Sequence, residues 1–260
     1  MKRIRYYYLL ELQYLGFRFH GWQKQPGLKT VERMLERSMA YVLDQSFKVL
    51  VVGRTDAMVS ANHTFVELFI DKQPLDEDVF LELLNRNLPQ DLRALSLKKT
   101  TEHFNIIQHP KSKEYLYFFC FGQKYHPFCA PFMTNIVDDL DIELMKEGAT
   151  LFEGEHDFWS YTYKPNEKTN TSGEITTCKL VENDILKANF FPEKSYVLKV
   201  VAEGFKRHQI RLMMGALIDL GKGTFDLPFL KRSLYSENKI KMTYIAPASG
   251  LILNEIRFKD

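Results

Sequence analysis

The stretch Phe47-Lys48-Val49-Leu50-Val51-Val52-Gly53-Arg54-Thr55-Asp56-Ala57-Met58-Val59-Ser60-Ala61 joins two differently patterned runs. Before the glycine, Phe47 to Val52 is almost continuously apolar and reads as a buried strand. After it, Thr64-Phe65-Val66-Glu67-Leu68-Phe69-Ile70 alternates and reads as a second strand. A glycine, an arginine, a hydroxyl and a carboxylate therefore stand where the chain leaves a sheet, a common place for chemistry. By itself the stretch reads first as a turn capped by Thr55 and Asp56, with Arg54 in solvent.

Upstream, residues 5–13 read as a strand. Thr30 is an N-cap for a helix over 31–43, whose apolar positions Val31, Met34, Leu35, Met39 and Val42 follow the 3.6-residue period. Between them lies Tyr14-Leu15-Gly16-Phe17-Arg18-Phe19-His20-Gly21-Trp22-Gln23-Lys24-Gln25-Pro26-Gly27. Its aromatic and basic residues suit two roles, stacking on bases and meeting phosphates, or pinning a long loop onto the core. Downstream, Asp76 caps a helix that Pro89 ends, and 92–98 reads as a strand. The first hundred residues thus read βαββαβ. The second half repeats the order more loosely: strand 113–121, helix 141–152, polar segment 164–173, strands 175–185 and 195–202, helix 204–220, a helical insertion at 226–235 and a last strand 251–258. The pattern predicts an α+β fold of two fused ferredoxin-like halves, 1–104 and 105–260, sharing a central antiparallel sheet with the active-site cleft between them.

Composition excludes several classes. Hydrophobic residues are 45% and charged residues 26%, ordinary for a soluble globular chain. No apolar run nears the roughly 20 residues that span a bilayer, so no membrane partner is expected. The start, Met1-Lys2-Arg3-Ile4-Arg5-Tyr6-Tyr7-Tyr8, has no small-residue cleavage site and reads as strand rather than signal peptide. Three cysteines without C-x-x-C spacing argue against a disulfide framework or a zinc site, and for a reducing, cytoplasmic compartment. The net charge of +2 does not demand a nucleic-acid partner, but Lys2, Arg3, Arg5, Arg18, Lys24, Lys29, Arg33 and Arg37 face only Glu11, Glu32 and Glu36 in the first segment. That asymmetry fits one basic face or an ordinary solvated surface.

In the 204–220 segment, Ile210, Met213, Met214, Leu217 and Leu220 form an apolar stripe, with Arg211 off its centre and Gly204, Arg207 and Gly215 on the arginine's side. The glycines leave room for another chain segment or a ligand near the guanidinium. A surface arginine beside a helix–helix contact fits the same pattern.

Six ordered motifs carry a resemblance. Gly53-Arg54-Thr55-Asp56 resembles the catalytic motif of the tRNA pseudouridine synthase A family. Tyr14 to Pro26 is similar to its Y-x-G-x-x-x-x-G-W-Q-x-Q-P loop, and Tyr115-Leu116-Tyr117 to its Y-x-Y segment. Gly154-Glu155-His156-Asp157-Phe158 resembles its G-x-H-D-F turn, and Phe205-Lys206-Arg207-His208-Gln209-Ile210-Arg211 with Gly221-Lys222-Gly223 its F-x-x-x-x-V-R helix and closing G-x-G. Ala246-Pro247-Ala248-Ser249-Gly250-Leu251 resembles A-P-A-x-G-L. Agreement at six ordered places is far less accidental than at one.

The resemblance implies isomerisation of uridine to pseudouridine in RNA without cofactor or metal, by a homodimer, on uridines 38 to 40 of the tRNA anticodon stem-loop. It assigns Asp56 as the nucleophile, at C6 of uracil or at C1′ of the ribose, Arg211 as its counter-ion, and Tyr115 as the ring that stacks on the flipped base and helps move the C5 proton. Arg54, Arg18, His20, Gln23, Lys24 and Arg207 are the candidates for holding RNA. The chain departs from the family at Met58 (a glycine there), Ser60 (a histidine) and Ile107 (an arginine). These departures leave open a divergent relative acting on another RNA site, and beside it a non-catalytic RNA-binding protein of the same fold.

Overall fold

Alternation along Arg5–Tyr14 puts Tyr8, Leu10, Leu12 and Tyr14 on one buried face, and the segment forms strand β1. The computed structural model describes residues 5–235, 237 and 239–259. The expectations placed on Met1 to Ile4, including the cations Lys2 and Arg3, lie outside the described residues. The chain divides into two compact units, Met1–Lys111 with Leu253–Asp260, and Ser112–Ile252.

In the first unit β1 lies between β3 (Ser60–Asp71) and β4 (Leu92–Thr100), antiparallel to both. Tyr8 faces Leu68 and Leu10 faces Val66, so apolar residues meet across the pair. Strand β2 (Phe47–Val51) pairs antiparallel with β3, and β11 (Leu251–Phe258) also lies beside β3. Helix α1 (Val31–Val42) starts where the Thr30 hydroxyl accepts from Arg33 N–H at 3.4 Å. Helix α2 (Glu77–Asn87) starts likewise at Asp76, which accepts from Val79 N–H at 3.1 Å. The helices bury Val31, Leu35 and Met39, and Phe80 and Leu84.

In the second unit β10 (Tyr196–Ala202) runs antiparallel between β5 (Pro110–Phe121) and β9 (Thr177–Glu182). Strand β6 (Thr134–Ile136) runs parallel to β5, so pairing is mixed rather than wholly antiparallel. β7 (Gly154–Asp157) and β8 (Ser172–Ile175) form a separate two-stranded ribbon. The polar segment 164–173 therefore ends in a strand, and the expected strand 175–185 is broken at Thr176. Helix α3 (Ile142–Thr150) is capped by Asp141, and the six-residue α5 (Leu227–Arg232) by Asp226.

Helix α4 (Gln209–Gly221) differs most from expectation. It begins at Gln209, not at 204, because His208 adopts a left-handed backbone with φ of 57°. No one-sided stripe exists: every residue of α4 except Arg211 and Asp219 is buried. Gly215 is where a backbone crosses it, for a β-carbon there would lie 2.0 Å from the Tyr244 carbonyl oxygen. The glycine thus admits a chain segment. Among the described residues, no helix is long and apolar enough to cross a membrane. Gly215→Ala is expected to lose about 1–3 kcal/mol of stability through overpacking, read from the urea midpoint at unchanged slope.

Candidate active site

The opening Tyr14 to Pro26 loop holds the Asp56 loop at several points. The Tyr14 hydroxyl and the Thr55 hydroxyl share a buried 2.7 Å hydrogen bond. Trp22 N–H donates to the Thr55 carbonyl at 3.1 Å, and Met58 N–H donates to the Phe19 carbonyl at 3.0 Å. Val59 N–H closes the turn onto the Asp56 carbonyl at 3.2 Å. Gly16 N–H donates to Ser60 Oγ at 2.9 Å, and any β-carbon on Gly16 would lie 2.0 Å from the Val59 carbonyl oxygen. Phe19 and Trp22 are each 2% exposed. These two aromatics therefore pin the loop to the core rather than wait for bases. The half-buried Asp56 side chain stands on a backbone whose neighbours on both sides are fixed.

The remaining first-unit candidates surround that clamp. Arg18 is exposed, and its guanidinium meets the nearly buried Asp91 carboxylate at 2.8 Å, with Lys29 3.5 Å from the same oxygen. Lys24 donates to Glu36 at 2.6 Å, and this hydrogen bond raises its ammonium pKa above the ordinary value. His20, Gln23 and Arg54 are exposed.

The residues where the chain departs from the family pattern have defined conformations. Met58 keeps a left-handed backbone, φ 67°, in which a side chain is disfavoured. Its side chain is 36% exposed, so the loop path suits a glycine while the methionine points outward. Ser60 is buried and spends its hydroxyl on Gly16. Ile107 is 55% exposed, in the turn where its N–H donates to Asn105 Oδ1.

In the second unit Tyr115 sits on β5 opposite Val200, its ring edge-on to Phe205 with centroids 5.2 Å apart. Arg211 lies in the first turn of α4, where a cation opposes the helix dipole and needs local acceptors. Its Nε donates to the Ala246 carbonyl at 2.8 Å, and Nη1 lies 3.1 Å from His208 Nδ1. Ala246 N–H returns a bond to the Arg211 carbonyl at 3.0 Å. Arg207 is exposed, with its guanidinium 4.8 Å from the Tyr163 ring centroid.

Three contributors were missed from the sequence. Tyr117 buries its hydroxyl between Thr134 Oγ1 and the Pro247 carbonyl, both at 2.8 Å, and burial pushes the phenol pKa well up. It thereby ties the 246–251 segment to β5, and that segment presents the Ala246 carbonyl to Arg211. His208 is the third. A backbone carbonyl has no residue signature, so only the A-P-A-x-G-L resemblance pointed here.

These features define a class: a protein with a carboxylate on a clamped strand-end loop and an arginine held in a buried helix, in the motif order of RNA uridine isomerases. A family model described as tRNA pseudouridine synthase matches residues 149–259. A tRNA pseudouridine synthase A of Aquifex aeolicus (strain VF5) is 30% identical over 250 residues, covering 96% of this chain and 98% of that protein. One of Methylacidiphilum infernorum (isolate V4) is 32% identical over 247 residues, covering 95% and 93%. The chain belongs to the tRNA pseudouridine synthase A family, and is a pseudouridine synthase, an isomerase of uridine in RNA.

Because Met58 occupies a backbone conformation natural to glycine, Met58→Gly is expected to raise stability by about 1 kcal/mol in urea denaturation while activity persists.

Proposed function

We propose that the chain isomerises uridines 38 to 40 of the tRNA anticodon stem-loop, with Asp56 as nucleophile. The tRNA substrate is carried by the names of the relatives, and the stem-loop by the resemblance of the motifs. The observation that carries Asp56 is the clamp: a carboxylate on a loop fixed by Tyr14, Phe19, Trp22 and Gly16 loses little freedom on meeting substrate.

In this reading the target base leaves its stack, a step that costs a few kcal/mol offset by contacts to the RNA. The Asp56 carboxylate attacks C6 of the uracil or C1′ of the ribose, and the N1–C1′ bond breaks. The base turns while held, C5 joins C1′, the bond between Asp56 and the substrate breaks to restore the carboxylate, and the C5 proton is removed as N1 gains one, so atoms balance. Arg211 keeps Asp56 ionised, since a desolvated carboxylate alone favours its protonated form. Tyr115 stacks on the base and its phenol assists the C5 proton. Arg54, Arg18, His20, Gln23, Lys24 and Arg207 hold RNA, and two subunits share one tRNA. The strand order β4-β1-β3-β2 and the order βαββαβ of the first unit support a ferredoxin-like first half. Work in the cytoplasm fits three buried cysteine thiols that are free.

A second reading rests on Met58, Ser60 and Ile107: the same isomerase acting at another RNA site. Both readings are tested by pseudouridine mapping of total RNA with and without the gene. Loss at 38 to 40 supports the first, loss elsewhere the second, and unchanged profiles sink both. Purified Asp56→Ala is expected to bind RNA yet lose at least about 10³-fold in turnover. Normal activity in that variant would overturn the nucleophile assignment.

A further inference from the structure

The guanidinium of Arg211 has donors only, so whatever lies at hydrogen-bond distance from it must accept. His208 Nδ1 lies 3.1 Å from Nη1 and therefore presents its lone pair, which places the ring proton on Nε2. On its other face the imidazole meets Tyr163 edge-on, with ring centroids 4.7 Å apart. Tyr163 is fixed in turn: its N–H donates to the Arg207 carbonyl at 3.0 Å, and Arg207 and Lys164 lie 4.8 and 5.3 Å from its ring centroid. The imidazole is thus held between Tyr163 and Arg211.

The backbone beneath it is strained. His208 is the N-cap of α4 with φ of 57°, and its side chain makes no capping bond to the helix. Ser, Thr, Asp or Asn would ordinarily cap here, and a left-handed histidine costs about 1–2 kcal/mol. A residue that forgoes the cap and holds a disfavoured conformation, while its ring reaches an arginine one turn on, has the marks of strain kept at a functional site.

We propose that His208 is a positioning residue for the isomerase: as a neutral acceptor it fixes, together with the Ala246 carbonyl, the direction of the Arg211 guanidinium. Ala246 holds Nε and His208 holds Nη1, so two of the three guanidinium nitrogens have fixed partners and the plane of the group is set. This role rests on the reading of Arg211 as counter-ion of the nucleophile. Because His208 acts through Arg211 and not on RNA, its loss is felt in kcat and not in KM.

The test compares three purified variants on a tRNA transcript. His208→Asn keeps an acceptor and tolerates the left-handed backbone, so it is expected to retain kcat within about tenfold. His208→Gly relieves the strain and removes the acceptor, so it is expected to be more stable to urea yet lose about 100-fold in kcat with KM unchanged. A His208→Gly enzyme with wild-type kcat, one whose loss falls on KM, or a His208→Asn enzyme as slow as His208→Gly overturns the proposal. Arg211→Ala separates the two claims. If it remains active, the counter-ion reading itself fails. If it is inactive while His208→Gly turns over normally, only the role of His208 fails.

Discussion

Backbones approach each other more closely than any side chain permits, most tightly at one glycine in each unit. Gly16 lets the opening loop lie against Val59, and Gly215 lets the 244–246 segment lie against α4. At both places a β-carbon would sit 2.0 Å from a carbonyl oxygen. The first contact carries the Asp56 loop and the second the carbonyl that Arg211 needs. Hydrogen bonds do the remaining positioning, but they form only because the chains are near enough. Side-chain identity at Asp56 and Arg211 would mean little without main-chain geometry that holds each one still.

Two residues proposed for catalysis draw on different kinds of support. Asp56 stands on a loop held by a second loop, with the aromatic residues Tyr14, Phe19 and Trp22 as its packed underside. Arg211 stands on a helix buried nearly all round, and a guanidinium in such surroundings is tolerable only when acceptors meet it. Ala246 and His208 supply them. The surface cations Arg18 and Lys24 are already engaged with Asp91 and Glu36, so their exposure overstates how freely they can reach a phosphate.

Much of this was legible in the sequence. Period-3.6 patterning located α1, alternation located β3, and residue type located β1, α2, β5 and β10, while Thr30, Asp76 and Asp141 marked helix starts that the structure retains. The start of α4 was not legible, because Gly204 to His208 continues a helical-looking sequence and only the positive φ of His208 breaks it. Strand β8 was lost for a different reason: Ser172 to Glu174 is polar and the strand pairs with the equally polar β7, so only Ile175 at its end is buried. The two roles open to the aromatic loop resolved toward packing for Phe19 and Trp22, since burial depends on what folds over them. The partners of Arg211 were hidden because one is a carbonyl and the other a histidine whose backbone conformation no local pattern encodes.

The burial of α4 has a consequence for how this protein can change over generations. Where eleven of thirteen positions are enclosed, nearly every substitution alters packing volume, and neighbours must change in step. The helix that bears Arg211 is therefore the part of the second unit least free to vary. Variation has easier terms at exposed positions such as Met58 and Ile107, where a new side chain meets water. Those are two of the places where this sequence has left its family's pattern. A lineage can alter what it presents to solvent at such positions while the arginine stays where the core put it.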